Sequence, residues 1–415
     1  MTSSTLERRL GLPDAVTIGV GSMVGAGVFA VFAPAAHAAG TGLLIGLVLA
    51  AIVAFCNATS SAQLAAVYPK AGGTYVYGRE ELGPWWGFAA GWCFVIGKTA
   101  SCAAMALTFA AYVSPSGWIQ RLLAIAAVLG LAAINYRGVT RTALATRIIV
   151  SIVLTVLAIF AITNLAKSGA HQLPDLNLTG DTSARGVLQA AGLLFFAFAG
   201  YARIATMGEE VREPERTIPR AIIIALGIAL TTFVIVGLTL LDRLGPDALA
   251  ASPRPVFDAA RALDSTGVLP WVVTAAAALA CLGALLNLMT GIGRTTLAMA
   301  RERDLPTWLA ATHPTFKVPH RAEVVLAAVV CVLVLAGSLR EVISFSSFGV
   351  LLYYTVANIS ALHQRENRRY PKFLQVLGVI LCLALVATLT WRVLVTGVVV
   401  LAVGLAGRAM LRTSK

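Results

Sequence analysis

The sequence predicts an all-α polytopic membrane protein with about twelve transmembrane helices. Three observations carry this. Of 415 residues, 58% are hydrophobic and only 12% charged, with a mean hydropathy of +0.82; a soluble domain carries about 25% charged residues. Between the charge clusters lie apolar runs of 17–25 residues, the length at which a helix crosses the hydrocarbon core. The basic residues also crowd into alternate connections, as the positive-inside rule requires.

In order, the runs fall near 14–37, 41–66, 85–113, 121–136, 142–164, 186–207, 219–241, 270–299, 322–338, 342–363, 372–390 and 391–411, the last two separated by a tight turn near Thr390-Trp391. Arg8 and Arg9 before an apolar region, with small residues over Ala33–Ala38, have the look of a secretory leader. The region is too long for one and further spans follow at once, so it is expected to stay as the first span. Counting connections from the N-terminus puts 22 of the 32 Lys and Arg residues on the N-terminal side and eight on the other, with Lys98 and Arg203 inside spans. That bias predicts a multi-pass protein of the cytoplasmic membrane with both termini in the cytoplasm. It also accounts for the net charge of +13 without nucleic acid. No linker divides residues 1–415, so one transmembrane domain is expected. The outer stretches Lys167–Arg185 and Asp242–Pro270 have room for short helices over a vestibule, and Arg301–Arg321, with Pro306, Pro314 and Pro319, suits a turn with a short helix.

Two spans stand out. The first contains Gly19, Gly21, Gly25 and Gly27, each costing up to about 1 kcal/mol in a helix relative to alanine. Such density predicts an interruption at mid-membrane, where backbone groups are left for a ligand, as in the broken helices of secondary transporters. The sixth span reads Phe195-Phe196-Ala197-Phe198-Ala199-Gly200-Tyr201-Ala202-Arg203. One glycine among aromatics is ordinarily packing. Here it lies five spans after the first, the offset expected if two five-helix units repeat with inverted topology, each opening on a broken helix.

These residues also carry a resemblance. Gly25-Ala26-Gly27-Val28-Phe29 resembles the first-span motif of amino acid–polyamine–organocation (APC) permeases. Tyr68-Pro69-Lys70-Ala71-Gly72-Gly73-Thr74-Tyr75 with Leu82-Gly83-Pro84 and Gly91-Trp92 resembles their second-to-third connection. The sixth span with Glu209-Glu210 and Pro214–Pro219 resembles their sixth span and following loop, and Gly293-Arg294 through Leu305-Pro306 the end of their eighth. The resemblance covers most of the chain. It implies the LeuT-type fold: a first five-helix repeat over 14–164, a second, inverted, over 186–363, and two peripheral helices over 370–411. It implies alternating access to a central amino acid site. Backbone amides near Gly25, Ala26 and Gly27 would hold the substrate carboxylate, in keeping with the affinity of free amides for anions. Carbonyls near Met23, Phe196 and Ala199 would hold the amino group, and Tyr201 and Phe196, beside Gly200, would shape a pocket or gate.

The departures from the pattern narrow the function. Several relatives carry an acid where Ala202 stands, some an acid near the place of Gly97, and some sodium-independent ones a lysine where Val153 stands. None of the 19 acidic residues falls at the centre of a predicted span. A cation there costs roughly 2.5–3.5 kcal/mol on insertion scales and commonly serves a pathway. Lys98 is therefore assigned to coupling, and Arg203 either to coupling and gating or to a structural reach toward Glu209 or Glu210. Ser22 and Thr290 are the hydroxyls available to a sodium site, but the paired hydroxyl of the eighth span is missing, so proton coupling or exchange is expected. Without a central acid, an organic cation lacks its counter-charge. A neutral L-amino acid is the expected substrate; an acidic one becomes the alternative if Lys98 or Arg203 faces the site, and cationic amino acids or polyamines are disfavoured.

Other classes have little support. The six cysteines lie in apolar runs without a CxxC pair, so neither a metal site nor a cofactor is expected. Gly19–Gly25 spells GxGxxxG with no preceding strand, and HExxH, Walker and GxSxG motifs are absent, which argues against an enzyme. A channel would more naturally show a pore loop or a ring of like side chains; a channel or a scaffold remains the remote alternative. The expected partners are a small amino acid, the lipid bilayer and protons, and no nucleic acid.

Overall fold

The computed structural model describes residues 10–69, 72–114, 117–138, 142–167, 183–208, 210–264 and 267–413, with the backbone alone at Ala26, Thr142, Ala143 and Thr413. Lys70, Ala71 and Glu209 lie outside the described residues, as does most of the outer stretch between Lys167 and Arg185. Among the described residues the chain is helical, with no strand beyond one isolated bridge between Leu10 and Val211.

The chain opens with α1 (Leu12–Ala30), whose start is fixed by Pro13 and by Asp14 accepting from the Gly11 amide at 3.1 Å. A bend at Val31 leads into α2 (Phe32–Ala39). After a turn through Gly40–Gly42 come α3 (Leu43–Val67), the short α4 (Thr74–Leu82), α5 (Pro84–Val113), α6 (Gly117–Tyr136) and α7 (Thr142–Lys167). Next is α8 (Ala184–Phe198), capped by Ser183, which gives way to a 3-10 turn at Ala199–Tyr201 and the single turn α9 (Ala202–Ala205). Then α10 (Pro214–Ala251), kinked at Gly245 ahead of Pro246, runs into α11 (Pro255–Leu263) and α12 (Val268–Arg301). A 3-10 turn at Thr307–Ala310 precedes α13 (His320–Ala336), α14 (Leu339–His363), α15 (Lys372–Thr388) and α16 (Trp391–Thr413).

Among the described residues ten stretches are long and apolar enough to cross a membrane, and α13 and α15 are shorter helices of 17 residues each. Buried α1, α5, α8–α9 and α14 form the centre. On the outside α6, α7 and α16 turn large apolar side chains outward, among them Leu122, Ile162, Leu165 and Val403. A lipid solvent allows that exposure.

The connections gather at two ends. At the basic end Leu10 meets Val211, Arg294 pairs with Glu210, and Arg147 pairs with Asp14. The carboxylate of Asp304, fully buried, accepts from Tyr75 at 2.9 Å, Arg79 at 3.0 Å and Arg408 Nε at 2.7 Å, with Arg412 at 3.5 Å. The Arg408 guanidinium also lies over the rings of Trp85 and Phe88, at 4.3 and 5.0 Å. Burial, and then the Asp304 charge, push the Tyr75 phenol above its ordinary range, so it stays a donor. This cluster joins α4, the end of α12 and α16. At the opposite end the Val256 amide donates to Tyr112, and Arg243 is held by Asn164. There α11 and the tail of α10 supply the short helices expected over Asp242–Pro270.

The interruption expected within Gly19–Phe29 is not there: α1 is helical through all four glycines. The glycines serve close approach on several sides at once. An added Cβ would meet Ile204 at Gly19, Val150 at Gly21, Ala284 at Gly25 and Ala197 at Gly27, at 2.4–2.9 Å in every case. The bend comes at Val31, and its cause is Pro34, which has no N–H for the Ala30 carbonyl and whose ring would crowd that carbonyl in a straight helix.

Candidate functional site

The sixth predicted span runs on as one stretch over Ala184–Ala205 and only tightens to a 3-10 turn after Phe198, with right-handed helical dihedrals at Phe198, Ala199, Tyr201 and Ala202. The helical pattern of α8 stops at Phe198, and the amide of Ala199 is shared between the carbonyls of Phe195 and Phe196. This turn lies directly on α1. A Cβ on Gly200 would fall 2.4 Å from the carbonyl carbon and oxygen of Ser22 and 2.6 Å from the Met23 amide. Gly27 makes the matching contact about one turn along α1, where a Cβ would fall 2.9 Å from Ala197 Cα. Backbone therefore touches backbone at Met23, Gly27, Ala197 and Gly200, with Met23, Gly25, Gly27, Phe196, Ala199, Gly200 and Tyr201 all buried. The carboxylate role that the resemblance gives to the amides of Gly25, Ala26 and Gly27 lacks the freed backbone first argued for it, because those residues are inside α1.

Lys98 comes to this turn from α5. Its ammonium donates to the Ala199 carbonyl at 2.9 Å, and Tyr354 of α14 reaches the same oxygen at 3.5 Å. The orientation of Lys98 follows from its neighbour. At Gly97 a Cβ would sit 3.1 Å from the Ser346 carbonyl and 3.2 Å from Gly349 Cα, and at Gly349 one would sit 2.8 Å from Gly97 Cα. Ser101 and Ser346 share a 2.7 Å hydrogen bond one turn on. With α5 and α14 pressed together there, no acid fits at position 97, and position 98 turns to the centre. The Tyr354 ring in turn packs on Tyr201 (5.1 Å between centroids) and Phe195 (5.9 Å).

Arg203 lies one turn along in α9, where its guanidinium donates to Thr206 at 3.1 Å and faces Gly291 of α12. Arg203 makes no hydrogen bond to Glu210 among the described residues, where the Glu210 carboxylate is held by Arg294, and Glu209 lies outside them. Ser22 and Thr290 do not converge. Ser22 donates to Ile18 of its own helix, and Thr290 points to Asn135 of α6. Where α1 faces α7 and α12 there is a cavity of about 20 Å³ bounded by Gly25, Val153 and Ala284, room for about one water. Beside it Asn287 donates to Thr146 at 3.2 Å. A larger apolar cavity of about 430 Å³, between α5, α12 and α13, has outward-facing Val325 and Val329 in its wall and belongs to the lipid side.

Sequence reasoning identified Lys98 and singled out the sixth span but did not join them, and it missed Tyr354 and Pro34. Proline within an apolar span is a legible signal; one tyrosine of the Tyr353-Tyr354 pair in a tenth span is not.

The model of the amino acid permease family matches residues 10–410. An uncharacterized transporter of Mycobacterium tuberculosis is 53% identical over 98% of this chain and 92% of its own. A methylthioribose transporter of Bacillus subtilis is 26% identical over 88% and 83%. A branched-chain amino acid permease of the same organism is 24% identical over 97% and 92%.

Proposed function

This chain belongs to the amino acid permease family, and on that premise we propose that it carries a neutral L-amino acid across the cytoplasmic membrane by alternating access, coupled to protons or to exchange. Transporters, not enzymes, make up the family and the relatives named above. In the proposed architecture twelve spans divide into repeats over 14–164 and 186–363 with peripheral helices over 370–411, and both termini face the cytoplasm. The gathering of Leu10 and Arg408 at the basic end supports the shared side of the termini.

One observation carries the reading: the 3-10 turn of the sixth span lies backbone on backbone against α1, with a buried cation on its Ala199 carbonyl. A carrier needs a polar centre that is sealed when empty and can be prised apart. The substrate would meet Met23, Gly25, Ala26 and Gly27 on one side and Phe196, Ala199, Gly200 and Tyr201 on the other. Lys98 would serve coupling. The separation of Ser22 from Thr290 supports an ion other than sodium. A second reading, an acidic amino acid, is favoured by the same Lys98, which faces the centre among described residues that offer it no carboxylate at hydrogen-bond distance.

The test is a thermal-shift panel of amino acids and amines on the purified protein, followed by liposome uptake of the hits with and without a pH gradient. Neutral L-amino acids should stabilise it, show counterflow and respond to the gradient. Stabilisation by polyamines alone, or uptake without counterflow, would sink the reading.

A further inference from the structure

We propose that the pocket between the start of α10 and the α14–α15 connection is a site for one anionic phospholipid, with the lipid phosphate among Arg216, Arg220 and Arg369 and an acyl chain along the outer face of α10. Placing that lipid in the inner leaflet rests on the orientation proposed above; the site itself does not.

The pocket lies at the basic end and has a volume of about 420 Å³. Its walls include Arg216, Arg220, Ile223 and Ile224 of α10 and Arg369 and Tyr370 of the connection, and no acid. On α10 the residues follow at helical spacing, so one face presents two guanidiniums and then apolar surface. The connection brings the third guanidinium, and α3 fixes it there. The side-chain oxygen of Gln63 accepts from the amides of Arg369 and Tyr370, at 3.2 Å each. Arg216 has Glu213 at 3.9 Å in an exposed pair, a contact of little weight. Among the described residues neither Arg220 nor Arg369 has an ion pair. Three like charges around one pocket repel one another, and a phosphate relieves that repulsion while its oxygens fit the planar fork of arginine.

The guanidiniums alone would suit a free phosphate as well. The apolar wall favours a lipid. Ile224 is 44% exposed, and Gly227, Thr231 and Ile235 continue the exposed face along α10. A Cβ on Gly227 would meet nothing within 4 Å, which leaves room for a chain. Charge at the head-group level with apolar surface running away from it is the pattern of a phospholipid, and a basic pocket between membrane helices selects an anionic one.

The full chain, stripped of lipid in detergent, is given phosphatidylglycerol, phosphatidylcholine of the same acyl chains, or glycerol 1-phosphate. Melting temperature and the lipid retained in native mass spectrometry are the readouts. Phosphatidylglycerol should raise the Tm of the native protein and be retained; the other two should do neither. Arg216→Gln, Arg220→Gln and Arg369→Gln should each weaken retention about fivefold, and the triple variant should hold phosphatidylglycerol no better than phosphatidylcholine. A second triple variant, Arg301→Gln with Arg303→Gln and Lys317→Gln, removes the same charge from exposed positions around the α12–α13 connection and should keep the native preference. Equal retention of the two lipids by the native protein, a preference that survives the pocket triple, or one lost alike in both triples overturns the proposal. Where the pocket triple does not fold, the three single variants decide, and unchanged retention in all of them overturns it. A Tm shift from glycerol 1-phosphate as large as that from the lipid would make this a site for free phosphate esters and overturn the lipid.

Discussion

The seam where α14 meets α3 and α15 and the crossing where α1 meets the sixth span are both buried, and they are held in opposite ways. In the seam the bonds are directional. Asn358 accepts from Ser60 at 2.6 Å and donates to Asn57 at 2.6 Å and to the Tyr354 carbonyl at 2.9 Å. Gln63 donates to Gln364 at 2.7 Å and accepts from the amides of Arg369 and Tyr370. Arg368 closes the group on Gln375 at 2.9 Å. Across the α1 crossing, glycine meets alanine and backbone, and contact is by shape alone. Hydrogen bonds between buried groups resist sliding, because each one lost leaves an unpaired polar atom. Small apolar surfaces can separate and re-form without that penalty. Within the function proposed above, that difference supports α3, α14 and α15 as a frame and α1 with the sixth span as the moving part.

The sharpest way to break this contrast is Gly200→Ala. Its new methyl falls 2.4 Å from Ser22 backbone. Overpacking of this kind costs about 1–3 kcal/mol and wedges α1 away from the turn, so liposome uptake should vanish. Uptake at the native rate would mean that the crossing never closes during transport. Next comes Asn358→Ala, which strips partners from Ser60 and Asn57. Each orphaned group costs about 1–3 kcal/mol. Thermal unfolding should come markedly earlier while the Kd for substrate holds; a changed Kd with unchanged Tm would reverse the roles of the two regions. The smallest effect is expected from Ser22→Ala combined with Thr290→Val. Ser22 donates to the Ile18 carbonyl of its own helix and Thr290 to Leu286 and Asn135, so uptake should be the same with sodium or with choline as the cation. Sodium-dependent uptake that this double variant abolishes would place an ion in the mobile region.

Much of the fold was legible in the sequence because it is local. The run expected over 85–113 is α5 at Pro84–Val113, and that over 342–363 is α14 at Leu339–His363. Apolar length alone sets such bounds. Glu80 and Glu81 hid α4, a short polar helix, inside what read as a connection. The site was half legible. A lysine in an apolar run announces itself, but its partner is a main-chain oxygen 101 residues away, and carbonyls have no letter in a sequence. The misplaced break has a similar source. Glycine both breaks helices and lets them touch, and only the neighbours of Gly19, Gly21, Gly25 and Gly27 decide between the two. Pro34 has no such double meaning, and it marked the true bend.

The buried Asp304 has a consequence for biosynthesis. Its carboxylate is shared by Arg79, from early in the chain, and Arg408, from the last helix. Until a ribosome has passed residue 408 and α16 has entered the bilayer, that acid lacks one of its two close cations, and the basic end has no final seal. A molecule made only as far as α15 therefore holds that carboxylate with Arg79 and Tyr75 alone.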